Sequence, residues 1–407
     1  MNDSKFSYTE ETSLVTQEMM KEITKSKNQF TIGIPKENCE EEKRLALTPE
    51  AVDMIVDAGH RVIFETEAGL GINYSDARYS DSGAEIVKNK TDVFQSDVIF
   101  KISPPSMEEI DMMKQRATIC SMLQLPDFSK ETILAMTAKK INGIGYELVS
   151  EDDGKCYPIR TAISEIEGAA AISVASELLS NAHGGKGILM GGVPGVSPTE
   201  IIILGAGAAG TIAARAALAL GAAVKVFDND VNKLRNIQSA LGRTLFTSVF
   251  QPNVLLNAFR TADVVIGAMR YIDAGSSVRY VITEDIIKTM KKGALIIDLC
   301  VNQGGCFETS CFLPQNHPHV FEKYGVLHYC VPNLSSRVAR TTSMALSNIF
   351  TPFIIQMGES GGFAGMTKSD YGFRSGFYVY GGKLVNPYVA RHFNLPSNDI
   401  GLFLSAY

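Results

Sequence analysis

The sequence predicts an α/β protein made of two Rossmann-like domains, each a doubly wound parallel sheet, with a cleft between them. Strand-like and helix-like runs alternate over residues 30–160, and the alternation resumes at residue 199. A long alanine-rich helical run over residues 163–185 separates the two regions and is expected to link the domains. A chain of 407 residues is long enough for two cores, and alternating strands and helices are typical of parallel sheets.

The first alternating region contains five strand-like and three helix-like runs. The strand-like runs are FTIGIP, HRVIFE, SDVIFKI, ATICSMLQL and NGIGYELV. The helix-like runs are TPEAVDMIVDAG, MEEIDMMKQ and SKETILAMTAKK. Short apolar runs bounded by turn residues are typical of buried strands, so this region predicts one parallel sheet with helices on its faces.

The second region repeats the pattern, and its end determines the domain boundaries. Its strand-like runs are TEIIILG, AVKVFD, DVVIGA, ALIIDLCV and VLHYCVPN, and its helix-like runs are TIAARAALALG, NDVNKLRNIQSALG and TEDIIKTMKKG. The helical run TTSMALSNIFTPFIIQMG is expected to return to the first domain. We therefore expect an N-terminal extension (1–28), a first domain (29–160, completed by 336–407) and a second domain (161–335).

Charge and composition exclude two kinds of partner. The net charge is -6, and the chain shows no basic stretch of the kind that nucleic acid requires. Residues 1–28 are polar and acidic and lack the pattern of a signal peptide. Val15, Met19 and Ile23 recur every four residues there, which predicts a short amphipathic helix packed on a neighbour. We expect a cytoplasmic protein without nucleic-acid or membrane partners.

The seven cysteines do not predict a disulfide framework or a metal site. They lie singly, in apolar runs or in polar ones, so reduced thiols are expected. Cys306 and Cys311 are five residues apart, but no second cysteine pair or nearby histidine completes the ligand set of a zinc ion. We therefore expect no bound metal.

A glycine-rich loop predicts a dinucleotide site. In IIILGAGAAG, Gly205, Gly207 and Gly210 follow a buried strand and precede a helix. In this pattern the first glycine permits a tight turn, the second lets the backbone approach a pyrophosphate, and the third allows close packing of helix and strand. The alternative is a glycine cluster that merely begins a helix, which the complete order of strand, loop and helix disfavours.

An acidic residue at the end of the next strand favours NAD over NADP. Asp228 ends the run AVKVFD, and a carboxylate there bonds both ribose hydroxyls and repels a 2′-phosphate. The next strand ends of the same sheet should face the nicotinamide end of the cofactor. These are Ala268, which ends the run VIGA, and Asn302, which ends the run IIDLCVN.

Three segments resemble the alanine dehydrogenase family, of which the N-terminal NAD domain of proton-translocating transhydrogenase is a close relative. The segments are GILMGGVPGVSPTEIIILGAGAAG, DLCVNQGGCFE and PKENCEEEKRLALTP, and the resemblance extends from about Thr31 to Leu404. It implies a discontinuous substrate domain, an NAD domain within it, a homo-oligomer (usually a hexamer), and reversible oxidative deamination of L-alanine to pyruvate and ammonia. SEIEG (164–168) resembles the dehydrogenase version, and the long insert and membrane segment of transhydrogenase are not found.

The resemblance also implies roles for particular residues. The three loop glycines, Asp228 and Lys233 match the family's dinucleotide positions. Ser164 matches a serine that reaches the cofactor, and Asn333 matches an asparagine near the nicotinamide. Arg44 matches the arginine that binds the substrate carboxylate, for which a guanidinium is suited because it can bond both oxygens. The alternative for Arg44 is a solvated surface arginine.

The family's ionisable catalytic residues are replaced by neutral ones. Its active-site lysine falls at Ser103, its acid/base histidine at Gln124, and its catalytic aspartate at Asn302. A glutamine does not exchange protons as a histidine does, so another group is needed. Lys101 lies two residues before Ser103, on the same face of a strand, and is the first candidate stand-in. The alternative for Lys101 is a lysine at a strand edge.

Three further residues are weaker candidates for proton transfer, and three functions stay open. The candidates are Asp127, Glu147 and His328, of which His328 is more readily explained as a core residue of the NAD domain. The first function is an alanine dehydrogenase with a rearranged acid/base set. The second is an NAD-dependent oxidoreductase acting on another small carboxylate or imine, and the third is a catalytically weak NAD-binding regulatory protein.

Overall fold

The computed structural model describes residues 29–38, 41–123, 128–151, 154–269, 282–311 and 320–405. The chain divides into two compact units. Unit 1 contains the residues up to Glu37, Leu45–Tyr157, and the residues from Leu346 onwards. Unit 2 contains Asn38–Arg44 and Pro158–Ala345. The predicted N-terminal extension (1–28), Gln124 and Asp127 lie outside the described residues.

The described residues form fifteen strands. They are β1 (Thr31–Ile34), β2 (Arg61–Glu65), β3 (Glu85–Val87), β4 (Val98–Phe100), β5 (Thr118–Ser121), β6 (Asn142–Gly145), β7 (Glu200–Leu204), β8 (Ala223–Phe227), β9 (Phe246–Ser248), β10 (Val264–Gly267), β11 (Leu295–Asp298), β12 (Val320–Lys323), β13 (Val326–Tyr329), β14 (Phe377–Tyr380) and β15 (Lys383–Leu384). Strands β1–β6, β14 and β15 belong to unit 1, and β7–β13 belong to unit 2.

The described helices begin with short ones in unit 1 and include two long ones of more than twenty residues. They are α1 (Pro49–Asp57), α2 (Asp76–Asp81), α3 (Lys90–Phe94), α4 (Met107–Met112), α5 (Lys130–Ala138), α6 (Pro158–Leu179), α7 (Ala208–Ala219), α8 (Val231–Leu241), α9 (Pro252–Thr261), α10 (Glu284–Ile287), α11 (Ala339–Glu359), α12 (Gly362–Ser369), α13 (Tyr371–Ser375), α14 (Pro387–Phe393) and α15 (Ile400–Ser405). Short 3₁₀ helices of three to five residues also occur in the described ranges.

The sheet of unit 1 has eight strands in the order β15-β14-β6-β5-β4-β1-β2-β3. The pairs among β1–β6 are parallel, as the alternation of strands and helices predicts. Strand β14 pairs antiparallel with both β6 and β15. The chain therefore returns after Leu346 to extend this sheet at one edge with two antiparallel strands.

The sheet of unit 2 has seven strands in the order β12-β13-β11-β10-β7-β8-β9. All its pairs are parallel except β12 with β13. The strand order reverses between β7 and β10, which is where doubly wound sheets bind their ligands. The predicted class of two doubly wound α/β domains is confirmed, although both sheets are mixed at an edge.

Both faces of the unit 2 sheet are buried, which explains its uninterrupted apolar strands. Ile201 and Ile203 of β7 face one core with α6 and α7, while Ile202 and Leu204 face a second core with α9. Successive side chains of a strand point to opposite faces, so a strand covered on both sides must be apolar at every position. This is why β7, β10 and β11 could be recognised in the sequence.

The long helix before the unit 2 sheet begins and ends earlier than its sequence predicts. The composition predicts a helix over residues 163–185, whereas α6 runs from Pro158 to Leu179. A proline suits the first turn of a helix because its missing N–H would have no partner there. After α6, Ser180 caps a single 3₁₀ turn over Asn181–His183, and Gly184 follows with a φ of 76°. Across the described residues, no helix combines the length and apolarity that a membrane span requires.

Candidate functional site

The glycine loop of unit 2 has the geometry of a dinucleotide site. Gly205 has a φ of 110°, and a Cβ added there would lie 2.5 Å from the carbonyl oxygen of Ala268. A Cβ at Gly210 would overlap the carbonyl oxygen of Gly205, so only glycine lets α7 pack this closely on the loop. A Cβ at Gly207, by contrast, would have no atom within 4 Å. Gly207 therefore borders open space at the N-terminus of α7, where a pyrophosphate would be bound.

Asp228 is the residue that connects the glycine loop to the ribose side. Its Oδ2 accepts the amide of Ala206 at 2.8 Å, and its Oδ1 accepts the amide of Asp230 at 2.8 Å. Each carboxylate oxygen has a second lone pair, so the two ribose hydroxyls can still donate to Asp228. Lys233 is exposed in the first turn of α8, which is capped by Asp230. These residues fit an NAD ribose.

Two further predicted cofactor residues lie beside the loop. Ala268 follows β10, and its amide donates to the carbonyl of Leu204 at 2.8 Å, which keeps it against Gly205. Ser164 is half-buried on α6. One turn later, a Cβ at Gly168 would overlap the carbonyl oxygen of Ala209 in the first turn of α7. The face of α6 that carries Ser164 is thus held against the helix that begins the nucleotide loop.

Arg44 is buried and fully oriented by a carboxylate of its own unit. Its side chain is 0% exposed and that of Glu42 is 5% exposed. Nε donates to Glu42 Oε1 at 2.8 Å and one terminal nitrogen donates to Glu42 Oε2 at 2.6 Å, a bidentate pair. The other terminal nitrogen donates to Ser335 Oγ at 2.9 Å. The alternative of a solvated surface arginine is therefore wrong.

Asn333 joins the same network. Its backbone is left-handed, with a φ of 70°, and its Nδ2 donates to Glu42 Oε2 at 2.7 Å. Because a carboxylate accepts only, this bond determines the orientation of the amide and turns Oδ1 of Asn333 away from Glu42. A carbonyl oxygen oriented in this way would be a suitable acceptor for the carboxamide of a nicotinamide.

The two carboxylates of the network have opposite pKa shifts. Burial raises the pKa of Glu42, but the charge and hydrogen bonds of Arg44 outweigh burial and hold that pKa below its ordinary value. The second carboxylate, Glu167, accepts a hydrogen bond from Ser335 Oγ at 3.2 Å. Burial raises the pKa of Glu167, and the opposing effects of Arg44 and Ser335 are smaller. The charge of one arginine thus acts on two carboxyl groups, one with a lowered pKa and one with a raised pKa.

Asn302 lies beyond the strand end, on an exposed turn. The apolar run predicts that the strand continues to Asn302, but β11 ends at Asp298, and Asn302 belongs to the 3₁₀ turn Val301–Gln303. The carboxylate of buried Asp298 ends the strand by binding the amides of Cys300 at 2.9 Å and Cys306 at 2.8 Å. Asp298 therefore closes the base of the loop that carries Asn302 at its tip.

The base of this loop also brings two thiols together. The ligand atoms of Asp298, Cys300 and Cys306 lie within 4.8 Å of one another, close enough to surround a metal ion. The spacing of the cysteines in the sequence did not predict the pair Cys300 and Cys306, because it indicated Cys306 and Cys311 as the nearest pair to consider. However, Asp298 already accepts two backbone amides and the hydroxyl of Ser310. A hydrogen bond with Cys306, together with burial, raises the pKa of the Cys300 thiol. These hydrogen bonds thus stabilise the base of the loop that carries Asn302.

In unit 1, Lys101 takes part in a buried group of charges. Its side chain is 1% exposed, and its Nζ lies 2.8 Å from Glu109 Oε2 and 3.8 Å from Glu37 Oε2. Lys90 Nζ lies 3.0 Å from the other oxygen of Glu109. The ammonium of Lys101 is thus held by two buried carboxylates of the same unit, which favours a structural role for Lys101.

Glu37 also holds the backbone at Ser103. Its two carboxylate oxygens accept the amides of Ile102 at 2.5 Å and Ser103 at 3.2 Å. Ser103 is half-buried. Ser103 thus lies on a segment whose backbone is held in place by Glu37.

The remaining candidates for proton transfer have other partners. Glu147 Oε1 accepts the amide of Leu123 at 2.7 Å. His328 is buried, with Nδ1 2.9 Å from the carbonyl of Val326 and Nε2 2.7 Å from Thr309 Oγ1. The prediction that His328 is a core residue is confirmed. Burial lowers the pKa of His328 to about 4, so it is neutral near pH 7.

Three residues of the site were missed in the sequence: Glu42, Glu167 and Ser335. Glu42 could have been predicted from the sequence, because an acidic residue two positions from Arg44 is a natural partner for an ion pair. Glu167 lies three residues after Ser164, on the same face of α6, which is a usable signal only once Ser164 is assigned. Ser335 is 291 residues from Arg44 and became a candidate only through the fold.

Comparison with known proteins places the chain in a family. The model of the alanine dehydrogenase/PNT N-terminal domain matches residues 33–167, and that of the C-terminal domain matches residues 171–387. An alanine dehydrogenase of Staphylococcus saprophyticus is 36% identical over 369 residues, which cover 91% of this chain and 98% of the relative. One of Bacillus subtilis is 34% identical over 360 residues, which cover 88% and 94%.

Two solved structures have the same fold over most of the chain. A structure of L-alanine dehydrogenase matches with a TM-score of 0.83 and 31% identity, covering 89% of this chain and 99% of that one. The transhydrogenase from Sinorhizobium meliloti matches with a TM-score of 0.72 and 24% identity, covering 88% and 99%. The second likeness is one of fold.

The glycine loop, Asp228 and the two mixed α/β sheets define an NAD-dependent oxidoreductase of the amino-acid dehydrogenase class. The chain belongs to the alanine dehydrogenase/PNT family. The resemblance found in the three sequence segments and the prediction of NAD as the cofactor are confirmed.

Proposed function

We propose that the protein catalyses the reversible, NAD-dependent oxidative deamination of L-alanine to pyruvate and ammonia. The observation that carries the proposal is Arg44, a buried guanidinium whose plane is fixed by Glu42. Such a group is prepared to bind the planar carboxylate of a small amino acid. The alanine dehydrogenases of Staphylococcus saprophyticus and Bacillus subtilis support the choice of substrate.

The residues of unit 2 would hold NAD in a definite orientation. The loop of Gly205, Gly207 and Gly210 would bind the pyrophosphate, and Asp228 the ribose, with Lys233 nearby. Ser164, Ala268 and Asn333 would contact the nicotinamide side. When bound, NAD accepts the hydride of the substrate. These residues bind and orient it, and Arg44 orients the carboxylate of the substrate.

The second candidate is an oxidoreductase acting on another small carboxylate or imine. It is favoured by the neutral residues Ser103, Gln124 and Asn302, which hydrogen-bond but do not carry the charges of the family's lysine, histidine and aspartate. We regard these three as the residues that would adjust the chemistry to this substrate. The third candidate, a regulatory NAD-binding protein, is less favoured because the cofactor loop retains its full geometry.

We further propose a cytoplasmic homo-oligomer, a hexamer by analogy with the family. The six cysteines in the described ranges are free thiols, as is usual for a reducing compartment. Analytical ultracentrifugation of the full chain tests the oligomer, and a monomer at micromolar concentration would contradict it.

The test of the activity is NADH formation from L-alanine at alkaline pH, and NADH consumption with pyruvate and ammonium. The triple variant Ser103→Lys, Gln124→His and Asn302→Asp is assayed in parallel. Turnover by the natural protein supports the first candidate. Activity with alanine only in the triple variant, with NAD bound by both proteins, would favour the second candidate.

Arg44→Lys tests the substrate role separately from the cofactor. A lysine cannot form two parallel bonds to a carboxylate, so KM for L-alanine should rise about 10- to 100-fold while the dissociation constant of NAD is unchanged. Lys43→Ala is the control, because Lys43 is the exposed neighbour. An unchanged KM in the folded Arg44→Lys protein would contradict substrate binding by Arg44.

A further inference from the structure

Glu167 is a half-buried carboxyl group in the middle of α6, within the site of unit 2. It lies three residues after Ser164, so the two side chains share one face of the helix. Its Oε1 accepts the hydroxyl of Ser335 at 3.2 Å, and the backbone amide of Ser335 donates to it as well. The same hydroxyl accepts a bond from Arg44 at 2.9 Å. Ser335 thus connects Glu167 directly to the proposed substrate arginine.

Burial and the neighbouring charges act in opposite directions on the pKa of Glu167, and the net effect raises it. Arg44 lies nearby, but its guanidinium is already paired with both oxygens of Glu42. Burial raises the pKa of Glu167 more than Arg44 and Ser335 lower it. Cys300, at the start of the loop that carries Asn302, is a further titratable group that interacts with Glu167. The carboxyl therefore lies among the residues assigned to substrate and cofactor.

The other described candidates for proton transfer are less suited to that role. Lys101 is held between two carboxylates. His328 has both ring nitrogens in hydrogen bonds inside the core. Ser103 and Asn302 do not ionise in the physiological range. A carboxyl group with a raised pKa is, by contrast, the usual choice for acid/base catalysis near neutral pH.

We propose that Glu167 is the proton carrier of this enzyme, exchanging protons with the α-amino or α-imino acid whose carboxylate is bound by Arg44. The inference rests on the proposed function. It assigns to Glu167 the proton transfer that Gln124, which has no ionisable group, cannot perform.

The proton transfers balance in the hydrolysis of the imino acid. As the oxygen of water bonds to the imine carbon, the Glu167 carboxylate takes one proton of that water, and the C=N π electrons move to nitrogen. Protonated Glu167 then returns the proton to nitrogen as the C–N bond breaks. For a protonated imine, ammonia leaves with the C–N electrons while Glu167 takes the remaining hydroxyl proton, whose O–H electrons form the carbonyl of the keto acid. The ammonia takes this second proton from Glu167 and departs as ammonium, so Glu167 is again a carboxylate. The reverse sequence describes amination.

The decisive variants are Glu167→Gln and Glu167→Asp, with Glu165→Gln as the control on the same helix. Glu165 is exposed and lies two residues earlier. Glu167→Gln should lower kcat for L-alanine about 10²- to 10⁴-fold, with an NAD dissociation constant within about twofold of the natural protein. Glu167→Asp should retain part of the activity, and Glu165→Gln all of it.

The pH profile separates proton transfer from a structural role. The natural protein should lose kcat/KM on the acid side as Glu167 becomes protonated, because only the carboxylate accepts the proton of water. The residual activity of Glu167→Gln should lack this acid limb, while Glu165→Gln should keep it. Equal kcat and an identical pH profile for Glu167→Gln and the natural protein would overturn the inference while leaving the proposed function intact.

A binding measurement decides the inference even without turnover. Pyruvate is titrated into the complex with NADH by calorimetry in two buffers of different ionisation enthalpy. Pyruvate adds a third carboxylate beside Arg44, after those of Glu42 and Glu167, and its negative charge should raise the proton affinity of Glu167. Pyruvate binding should therefore be accompanied by proton uptake in the natural protein and not in Glu167→Gln. Proton uptake that depends on Glu167 supports the inference even if the protein oxidises no amino acid. The absence of oxidation would contradict only the proposed function. Binding without uptake overturns the inference, and no binding at all overturns both.

Discussion

Glu42 and Arg44, two residues apart in sequence, form a buried bidentate ion pair. The two side chains are 5% and 0% exposed, and the two bonds are 2.8 and 2.6 Å long. A third bond joins the backbone amide of Arg44 to Glu42 Oε1 at 3.0 Å. The short segment therefore provides the counter-charge of its own arginine. Asn333 and Ser335, which are distant in sequence, form hydrogen bonds with this pair.

Removal of the Glu42 carboxylate should destabilise the protein strongly. In Glu42→Ala a buried guanidinium loses its partner, so the free energy of unfolding should fall by about 3–5 kcal/mol in urea denaturation. The control is Glu85→Ala, which breaks the pair with Arg61 on the surface, where the side chains are 57% and 69% exposed. That change should cost at most about 1 kcal/mol. Equal losses in the two variants would contradict a buried pair.

Exchange of Asp228 for asparagine should change the choice of cofactor. A carboxylate at this position would bond the ribose hydroxyls and repel a 2′-phosphate, so Asp228→Asn should weaken NAD binding about 10-fold or more and strengthen binding of NADP. Fluorescence titration measures both affinities. Asp230→Asn is the control, because Asp230 caps α8 and asparagine is an equally good cap. A preference for NAD that persists in Asp228→Asn would contradict the role of Asp228.

The central strands and the nucleotide loop could be predicted because their signals are local. Strands β7, β10 and β11 are buried on both faces and therefore apolar at each position. The short edge strands β3, β9 and β15 were missed, because an edge strand with one exposed face shows little pattern over two or three residues. Helix α9 was missed as well, although a proline at its first turn marks its start.

The substrate side of the site could be predicted only in part, for a physical reason. The sequence context of Arg44 suggests it as a substrate-binding residue, but its orientation depends in part on Ser335, which is 291 residues away in the chain. Glu167 bonds to Ser335 across 168 residues. The strand end at Asp298 was misjudged because a buried carboxylate that binds backbone amides looks, in sequence, like an interruption of an apolar strand.

Buried His328 should make the stability of the protein fall between pH 6.5 and 4. Its pKa is lowered to about 4 by burial, whereas the ordinary value is 6.5. In this window the unfolded chain takes up the proton and the folded chain does not, so stability falls as the pH falls. At pH 5 this amounts to about 2 kcal/mol relative to pH 7.

His328→Gln should remove this dependence. Its free energy of unfolding should decrease less between pH 7 and pH 5 than that of the natural protein, by about 2 kcal/mol. His392→Gln is the matched control, because His392 is exposed on α14 and should leave the slope unchanged. Parallel pH curves for the natural protein and His328→Gln would show that His328 is not protonated at a cost in the folded chain.

The glycines of the nucleotide loop should differ in what an added methyl group disturbs. A Cβ at Gly210 would overlap the carbonyl oxygen of Gly205, so Gly210→Ala must push α7 away from the loop. Both Tm and NAD affinity should therefore fall.

Gly207 has a φ of -79° and open space around its Cβ position, so Gly207→Ala should fold with an unchanged Tm. Its methyl group would occupy the side on which the pyrophosphate approaches, and NAD affinity should fall about 10-fold or more. Thermal unfolding and calorimetric titration with NAD measure the two effects separately. If Gly207→Ala bound NAD as tightly as the natural protein, the pyrophosphate would have to lie elsewhere than at the N-terminus of α7.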